Sequence, residues 1–381
     1  MKLLHYQELI KKYDKIYGPK LKKNKKDYIE CMVNYDKQLF KKNMYEHRQI
    51  VKNLILDVIN EFKEFKENKC CIILNGSLAR ATNTLYSDID INYFYDNEIF
   101  EDMINIEERV NYILQTIMKY RGKDRILSMV VYLPLIRNNQ YEAFSINQYP
   151  IYFEDGIIYN KCRENAEKLM YETYNSTRNI NDLIKYINKN DDELNINEWT
   201  NCFELIYDNQ LYKEFTNKRK VYKGNKNMSY FISNVLKSIN NDKNYIKTNS
   251  DKVKIKDLKY FYKMLVLYNV YNFLSIYFRL NNKIDIINLQ KIEKENVGIP
   301  KEFYDSFYYY LNLIQKLQYL LDNSNIDLSF HSKNSISLQK VNSKYKEKFN
   351  SDNIINDLNN AKYELYKICT EALEREDKKY E

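Results

Sequence analysis

The sequence predicts an α+β protein: a mixed region of helices and strands to about residue 172, then a mostly α-helical region over 173–381. Three observations predict this. The apolar runs "CCIILN" (70–75) and "RILSMVVYLPLI" (125–136) are short and bounded by polar residues, as buried strands are. "DIDINYFY" (88–95) alternates polar and apolar residues, the two-residue period of a half-buried strand. Beyond Lys161 the apolar residues recur at helical spacing almost to the end. The boundary is expected within 172–200, where "NSTRNINDL" and "NKNDDELN" are polar and turn-prone.

Element by element, a short helix is expected up to about Tyr17, from Leu3, Leu4, Tyr6, Leu9 and Ile10. "GPKLKKNKK" (18–26) reads as a turn followed by a basic run, either a solvated linker or an electrostatic patch for a polyanion. A longer helix is predicted over Asp36–Phe65, with Leu39, Ile50, Leu54, Val58, Ile59 and Phe62 as its apolar stripe. The strands at 70–75 and 88–95 follow, then an amphipathic helix in "EIFEDMINIEERVNYILQTIMKY". Pro134 marks the end or edge of the next strand, because proline cannot donate to a ladder. "YEAFSIN" (141–147) alternates, with Glu142, Phe144 and Ile146 on one face, and the Asp155-Gly156 of "PIYFEDGIIYN" reads as a hairpin turn. The clearest later helices cover Leu258–Leu280, Glu302–Asp322 and Asn353–Arg375.

Composition excludes several classes. Lys and Arg outnumber Asp and Glu by 60 to 52, a net +8 that suits an acidic partner without requiring one. No run approaches the ~18 apolar residues that span a bilayer, and charges interrupt the N-terminus too early for a signal-peptide core. Six cysteines occur with no CxxC pair, and the vicinal Cys70-Cys71 lie in an apolar run as small hydrophobes. A cytoplasmic, reduced protein with no membrane partner is the expectation. His5, His47 and His331 are far apart and no HExxH occurs, which argues against a zinc hydrolase. No GxxxxGK[ST] or GxSxG occurs either. Tyr308-Tyr309-Tyr310, at helical spacing with Leu and Ile, reads as core and rim rather than as a base-stacking platform, and Trp199 as a packing residue.

The stretch that carries chemistry is "LNGSLARATNTLYSDIDINYF" (74–94). It holds one of only six glycines. Gly76 permits a tight turn and close approach by a ligand, and Ser77 adds a hydroxyl and a backbone N–H suited to phosphate. Asp88 and Asp90 stand at i and i+2 of a strand, on one face and about 7 Å apart at Cα. Two carboxylates at that spacing can converge on Mg²⁺, which takes oxygen ligands and commonly one or two carboxylates plus substrate phosphates. A pair of such ions would suit transfer at a triphosphate. The alternative is an ordinary turn leading into an edge strand with two solvated aspartates.

"NGS", ten residues, then "DID" with apolar neighbours resembles the signature of the DNA polymerase β-type nucleotidyltransferase superfamily. The longer string "GSLARATNTLYSDIDI" resembles members with an Arg four residues after the Gly and a Ser before the first Asp. These include bacterial transferases that modify small molecules, proteins or other nucleotides. The resemblance is strong over about 20 residues and loose over roughly 60–160 through the order of elements; the C-terminal half resembles no family. It implies a nucleotidyltransferase-type mixed sheet with flanking helices and transfer of an NMP from an NTP to an acceptor hydroxyl or phosphate, with release of pyrophosphate. Gly76 and Ser77 would contact the triphosphate. Asp88 and Asp90 would hold Mg²⁺. Arg80 would reach a phosphate or be a surface arginine, and Ser87 would be a nucleotide contact or a strand-entry hydrogen-bonding residue. The family has a third carboxylate on a later strand, for metal binding and as base toward the acceptor. Glu142 is the first choice for it, Asp124 and Asp155 being weaker; a plain exposed strand residue is the alternative. Without a third acid the chain would be an inactive nucleotide- or nucleic-acid-binding module, or a helical interaction protein with an incidental DxD. Nothing selects among NTPs, and the acceptor could be a small molecule, a protein or RNA.

Overall fold

A computed structural model of the protein describes residues 3–87, 89–95, 101–118, 129–137, 140–147, 151–154, 157–160, 204–211, 228–242, 252–280, 288–322 and 335–379. Over these residues the chain is α+β with helix in the greater part. It divides into two compact units. The first comprises Met1–Lys25, Tyr45–Asn83 and Ser87–Val221; the second comprises Lys26–Met44, Thr84–Tyr86 and Tyr222–Glu381. The expected boundary within 172–200 lies outside the described residues.

The N-terminal expectation needs correction. Helix α1 runs unbroken over Leu3–Val33, through the Gly18-Pro19 pair and the lysine run. Proline inside a helix costs about 3 kcal/mol by removing one hydrogen bond and crowding the preceding turn. Leu9, Tyr13, Tyr17 and Leu21, four residues apart on either side of Pro19, are all buried. Each contributes about 1.5–3 kcal/mol of burial, so the stripe outweighs the proline. The Tyr17 hydroxyl donates to Asp57 Oδ2 at 2.5 Å and the Tyr13 hydroxyl to the Asp57 carbonyl at 3.0 Å. The Tyr13 hydroxyl also reaches Glu61 Oε1 at 2.5 Å, and burial, together with Glu61 beside Tyr13 and Asp57 beside Tyr17, pushes both phenols well above the ordinary tyrosine range.

Helix α2 covers Lys37–Asn60 and a short α3 covers Lys63–Glu67, so the single expected helix is two. Asp36 caps the start of α2, its Oδ1 accepting from Leu39 N at 2.7 Å. Strand β1 (Cys70–Asn75) leads directly into a one-turn helix, α4 (Gly76–Ala79). Strand β2 is Ile89–Tyr95 and helix α5 is Glu101–Met118. Strands β3 (Met129–Arg137) and β4 (Gln140–Asn147) form one hairpin, and β5 (Ile151–Glu154) and β6 (Ile157–Asn160) the expected second. Pro134 lies inside β3 rather than at its end. The ladder from β2 reaches β3 at Ile89–Met129 and Asp90–Val130, so Pro134 lies beyond it, where a missing N–H costs the sheet nothing on that side.

Strand β7 (Glu204–Asn209) was hidden in a stretch that reads as helical. It completes a five-stranded sheet of order β4-β3-β2-β1-β7. The sheet is mixed: β2 and β3 run parallel, and the other neighbours antiparallel. One face of β1 and β2 presents Cys70, Ile72, Leu74, Ile89, Ile91 and Tyr93 to a buried cluster with α1, α2 and α5.

The second unit is helical. Its elements are α6 (Met228–Asn241), the two-stranded pair β8 (Lys252–Lys254) and β9 (Ser335–Ser337), α7 (Ile255–Lys259), a π-helical turn at Tyr260–Met264, and α8 (Leu265–Leu280). Then come α9 (Leu289–Glu295), α10 (Lys301–Asp322), α11 (Leu338–Phe349) and α12 (Ile354–Asp377). The expected helices at 302–322 and 353–375 are present, and Asn353 caps α12 through Ile355 N and Asn356 N. The expected helix at 258–280 is interrupted by the π turn. Tyr308 and Tyr310 are buried and Tyr309 is partly exposed, the core-and-rim pattern of that triplet. No described helix is long and apolar enough to cross a membrane.

Candidate functional site

The glycine turn is built by the backbone. Gly76 has φ of 64°, in the left-handed region that L side chains rarely adopt, so glycine lets β1 turn at once into α4 without strain. The turn closes with Arg80 N donating to the Gly76 carbonyl at 3.1 Å and Thr82 N donating to the Ser77 carbonyl at 2.9 Å. Ala81 also sits at positive φ, 54°. Gly76, Ser77 and Arg80 are half-buried.

The β1–β2 register brings the acidic strand to this turn. Asn75, the residue before Gly76, pairs directly with Asp90. Ile89 and Ile91 on either side of Asp90 are buried in the core cluster. Asp88 lies outside the described residues, and Ser87, just before it, is buried.

Glu142 is not brought to the same end. The row through Asp90 continues to Val130 on β3 and Asn147 on β4, whereas Glu142 pairs with Leu135. Five residues of β4 separate Glu142 from that row, about 17 Å along an antiparallel strand. Asp124 and Asp155 lie outside the described residues, as does Trp199.

Another carboxylate, Glu204, does reach the glycine end of the sheet, where it pairs with Leu74. It is engaged there by two cations one helical turn apart on α2, Arg48 and Lys52. Arg48 is buried and works in two directions, since its Nε donates to the Leu78 carbonyl of α4 at 2.6 Å while its Nη2 bonds Glu204. One side chain therefore ties the turn to both α2 and β7. Arg48 and Glu204 carry no motif in the sequence. The available signal was an arginine within a helix whose neighbours Val51, Leu54 and Ile55 are apolar.

The connection from the turn to Asp88 is also unusual, because Thr82, Asn83, Thr84, Leu85, Tyr86 and Ser87 are all buried. A buried loop must find partners for its polar groups. Within the second unit, the Thr84 hydroxyl donates to Gln318 Oε1 at 2.8 Å and Leu85 N donates to Gln315 Oε1 at 3.1 Å. The sequence signal for this was the spacing of Asn312, Gln315 and Gln318, three residues apart along α10 among leucines and isoleucine.

His47 is a buried core histidine, its Nδ1 2.8 Å from Asn24 Oδ1. Cys70 and Cys71 are buried free thiols; burial pushes the Cys70 thiol up to about 12 and Cys71 well above the ordinary range. Both are thus inert at neutral pH, as a packing role requires.

Compared with models of known protein families the chain matches none, and compared with curated proteins it also matches none.

Proposed function

We propose that the chain is a Mg²⁺-dependent nucleotidyltransferase with a DNA polymerase β-type sheet, transferring an NMP from an NTP to an acceptor. The observation that carries the reading is the pairing of Asn75 with Asp90, which sets the left-handed Gly76 turn and the acidic strand side by side at one end of the sheet. Gly76 and Ser77 bind the triphosphate, Arg80 reaches a phosphate oxygen, and Ser87 fixes the entry to the acidic strand. The carboxylate oxygens of Asp88 and Asp90 fit a hard divalent cation, and Mg²⁺ held there supplies neutralisation of charge on the phosphates. The acceptor hydroxyl or phosphate attacks the α-phosphorus and pyrophosphate leaves. Catalysis on this plan is mostly positioning and charge neutralisation. The acceptor is a small molecule, a protein or RNA.

The distance of Glu142 from Asp90 along the register favours a second reading, a module that binds nucleotide without turning it over. One experiment separates the two. The protein is incubated with each α-labelled NTP and Mg²⁺, alone and with cell extract, beside Asp90→Ala and Glu142→Gln variants. Transfer of label by the wild type and its loss in Asp90→Ala supports the enzyme. Thermal stabilisation by Mg²⁺–NTP without transfer supports the binding module. Neither stabilisation nor transfer with any NTP refutes both. Full activity in Glu142→Gln removes Glu142 as the third acid.

A further inference from the structure

Helix α1 carries a charge distribution that the nucleotidyl-transfer reading leaves unused. Between Lys11 and Lys25 it holds seven lysines against the single acid Asp14, a net +6 within a chain whose total is +8. Because the lysine run is helical, these charges keep a fixed register. At 100° per residue, Lys11, Lys15, Lys22 and Lys25 fall within about 80° of one another around the axis. Leu9, Tyr13 and Tyr17 lie about 120–160° from the middle of that face and Leu21 about 80° from it, all four buried in the core cluster of the first unit, while Lys12, Lys20 and Lys23 fall off the face. Of the face, Lys11, Lys15 and Lys22 are exposed and Lys25 is half-buried; Lys20 and Lys23 beside it are exposed too. Lys12 is drawn to Glu61, 2.5 Å away.

Such a face is costly for an isolated helix. Lysines one turn apart repel by about 0.2–0.5 kcal/mol per pair, and no acid stands three or four positions from Lys15, Lys20 or Lys25. The stripe extends about 21 Å along the axis, the length of roughly six phosphates on one strand of a duplex. A membrane surface is a poor match, since a helix that lies in a bilayer interface must insert its apolar side, and here that side is in the protein core. Single-stranded nucleic acid is a poor match too, because Tyr13 and Tyr17, the aromatic residues of this stretch, are buried and provide no stacking platform.

We propose that the lysine face of α1 binds the phosphate backbone of double-helical nucleic acid without reading its sequence. The proposal stands whether or not the chain transfers nucleotides. The test is fluorescence anisotropy of the full-length protein with a 20-base-pair DNA duplex across a salt series. With about four phosphate contacts, one for each lysine of the face, log K falls against log salt with a slope of about −3.5. Changing Lys11, Lys15 and Lys22 together to Gln should shrink the slope by about 3 and weaken binding at least about tenfold at 0.1 M salt. Gln keeps helix propensity, so the variant should retain its circular dichroism. Changing Lys344, Lys346 and Lys348 of α11 to Gln removes the same charge elsewhere and should leave the slope unchanged. A duplex RNA of the same sequence should bind with a similar slope. The proposal is overturned by absence of duplex binding at 50 mM salt, by equal losses in the two triple variants, or by tighter binding to phosphatidylserine vesicles or to a single strand than to the duplex.

Discussion

Substituting Asp242 by Leu should cost the second unit about 3–5 kcal/mol, and substituting Lys362 by Met in the same chain should recover most of it. The two side chains form an ion pair of 2.8 Å at 1% and 0% exposure, between the end of α6 and the middle of α12. Asp242 also accepts from the Tyr366 hydroxyl at 2.6 Å, and that hydroxyl accepts from Asn269 Nδ2 at 2.9 Å. Asn269 in turn accepts from the Ser238 hydroxyl at 2.6 Å. Removing the carboxylate alone strands a buried ammonium, which is the ~3–5 kcal/mol case. Removing both charges strands neither, and the double variant should fall within about 1–2 kcal/mol of wild type. For a unit of this size the single change corresponds to a fall in Tm of roughly 6–20 °C.

The pH dependence follows from the same burial. Desolvation raises the Asp242 carboxyl above its ordinary value, opposed by its bonds to Lys362 and Tyr366. Desolvation also lowers the Lys362 ammonium, opposed by Asp242. Between the ordinary and raised values of Asp242 the native state binds more protons than the unfolded one, so its contribution to stability falls as pH rises. Between the lowered and ordinary values of Lys362 the unfolded state binds more, so that contribution rises with pH. The neutral range thus carries the full cost of keeping both charges buried, and the double variant should lose both slopes. Thermal unfolding followed by circular dichroism from pH 4 to pH 10 measures this. A single-variant loss under about 1 kcal/mol, or a double variant no better than the single, would falsify the argument.

Two further changes probe the glycine turn. Gly76→Ala forces a Cβ into the left-handed region and should destabilise the first unit by about 1–2 kcal/mol in urea unfolding, with Gly76→Asn losing less; equal stability of all three chains contradicts the assigned backbone. Arg48→Met leaves the Leu78 carbonyl without its Nε donor and Glu204 with Lys52, and should cost about 2–3 kcal/mol, part of which Glu204→Gln restores in the double variant. A double-mutant cycle with no coupling between positions 48 and 204 would show that they do not act together.

The elements with a strong period were legible in the sequence. β1 was readable because "CCIILN" is too short for a helix, and β2 because its alternation separates Ile89, Ile91 and Tyr93 from Asp90 and Asn92. The continuation of α1 through Pro19 was not legible, since local chemistry at Gly18-Pro19 argues for a turn and the deciding energy is tertiary burial of Tyr17 and Leu21. β7 was missed because "ELIYDN" is neither a continuous apolar run like β1 nor a strict alternation like β2, and its nearly even burial leaves it no period to show. At the candidate site the two ends of the motif were visible, but their neighbours were not. Arg48 and Glu204 lie 156 positions apart, and Thr84 and Gln318 lie 234 apart. No local period encodes such pairings.

The π turn at Tyr260–Met264 can be regarded as a phase adjustment in the helix that contains it. A bond that spans five residues instead of four takes up one extra residue, so every side chain beyond it is displaced by one position, about 100° around the axis. Asn269 follows the turn, and Phe261 within it offers its carbonyl to Lys362 Nζ at 3.4 Å. Deleting one residue from 260–264 should therefore restore an ideal helix with Asn269 still turned toward Tyr366, whereas a regular α-helix through all the present residues would rotate it away. With the number of residues this segment has, regular backbone and a completed polar network are alternatives, and the fold has kept the network.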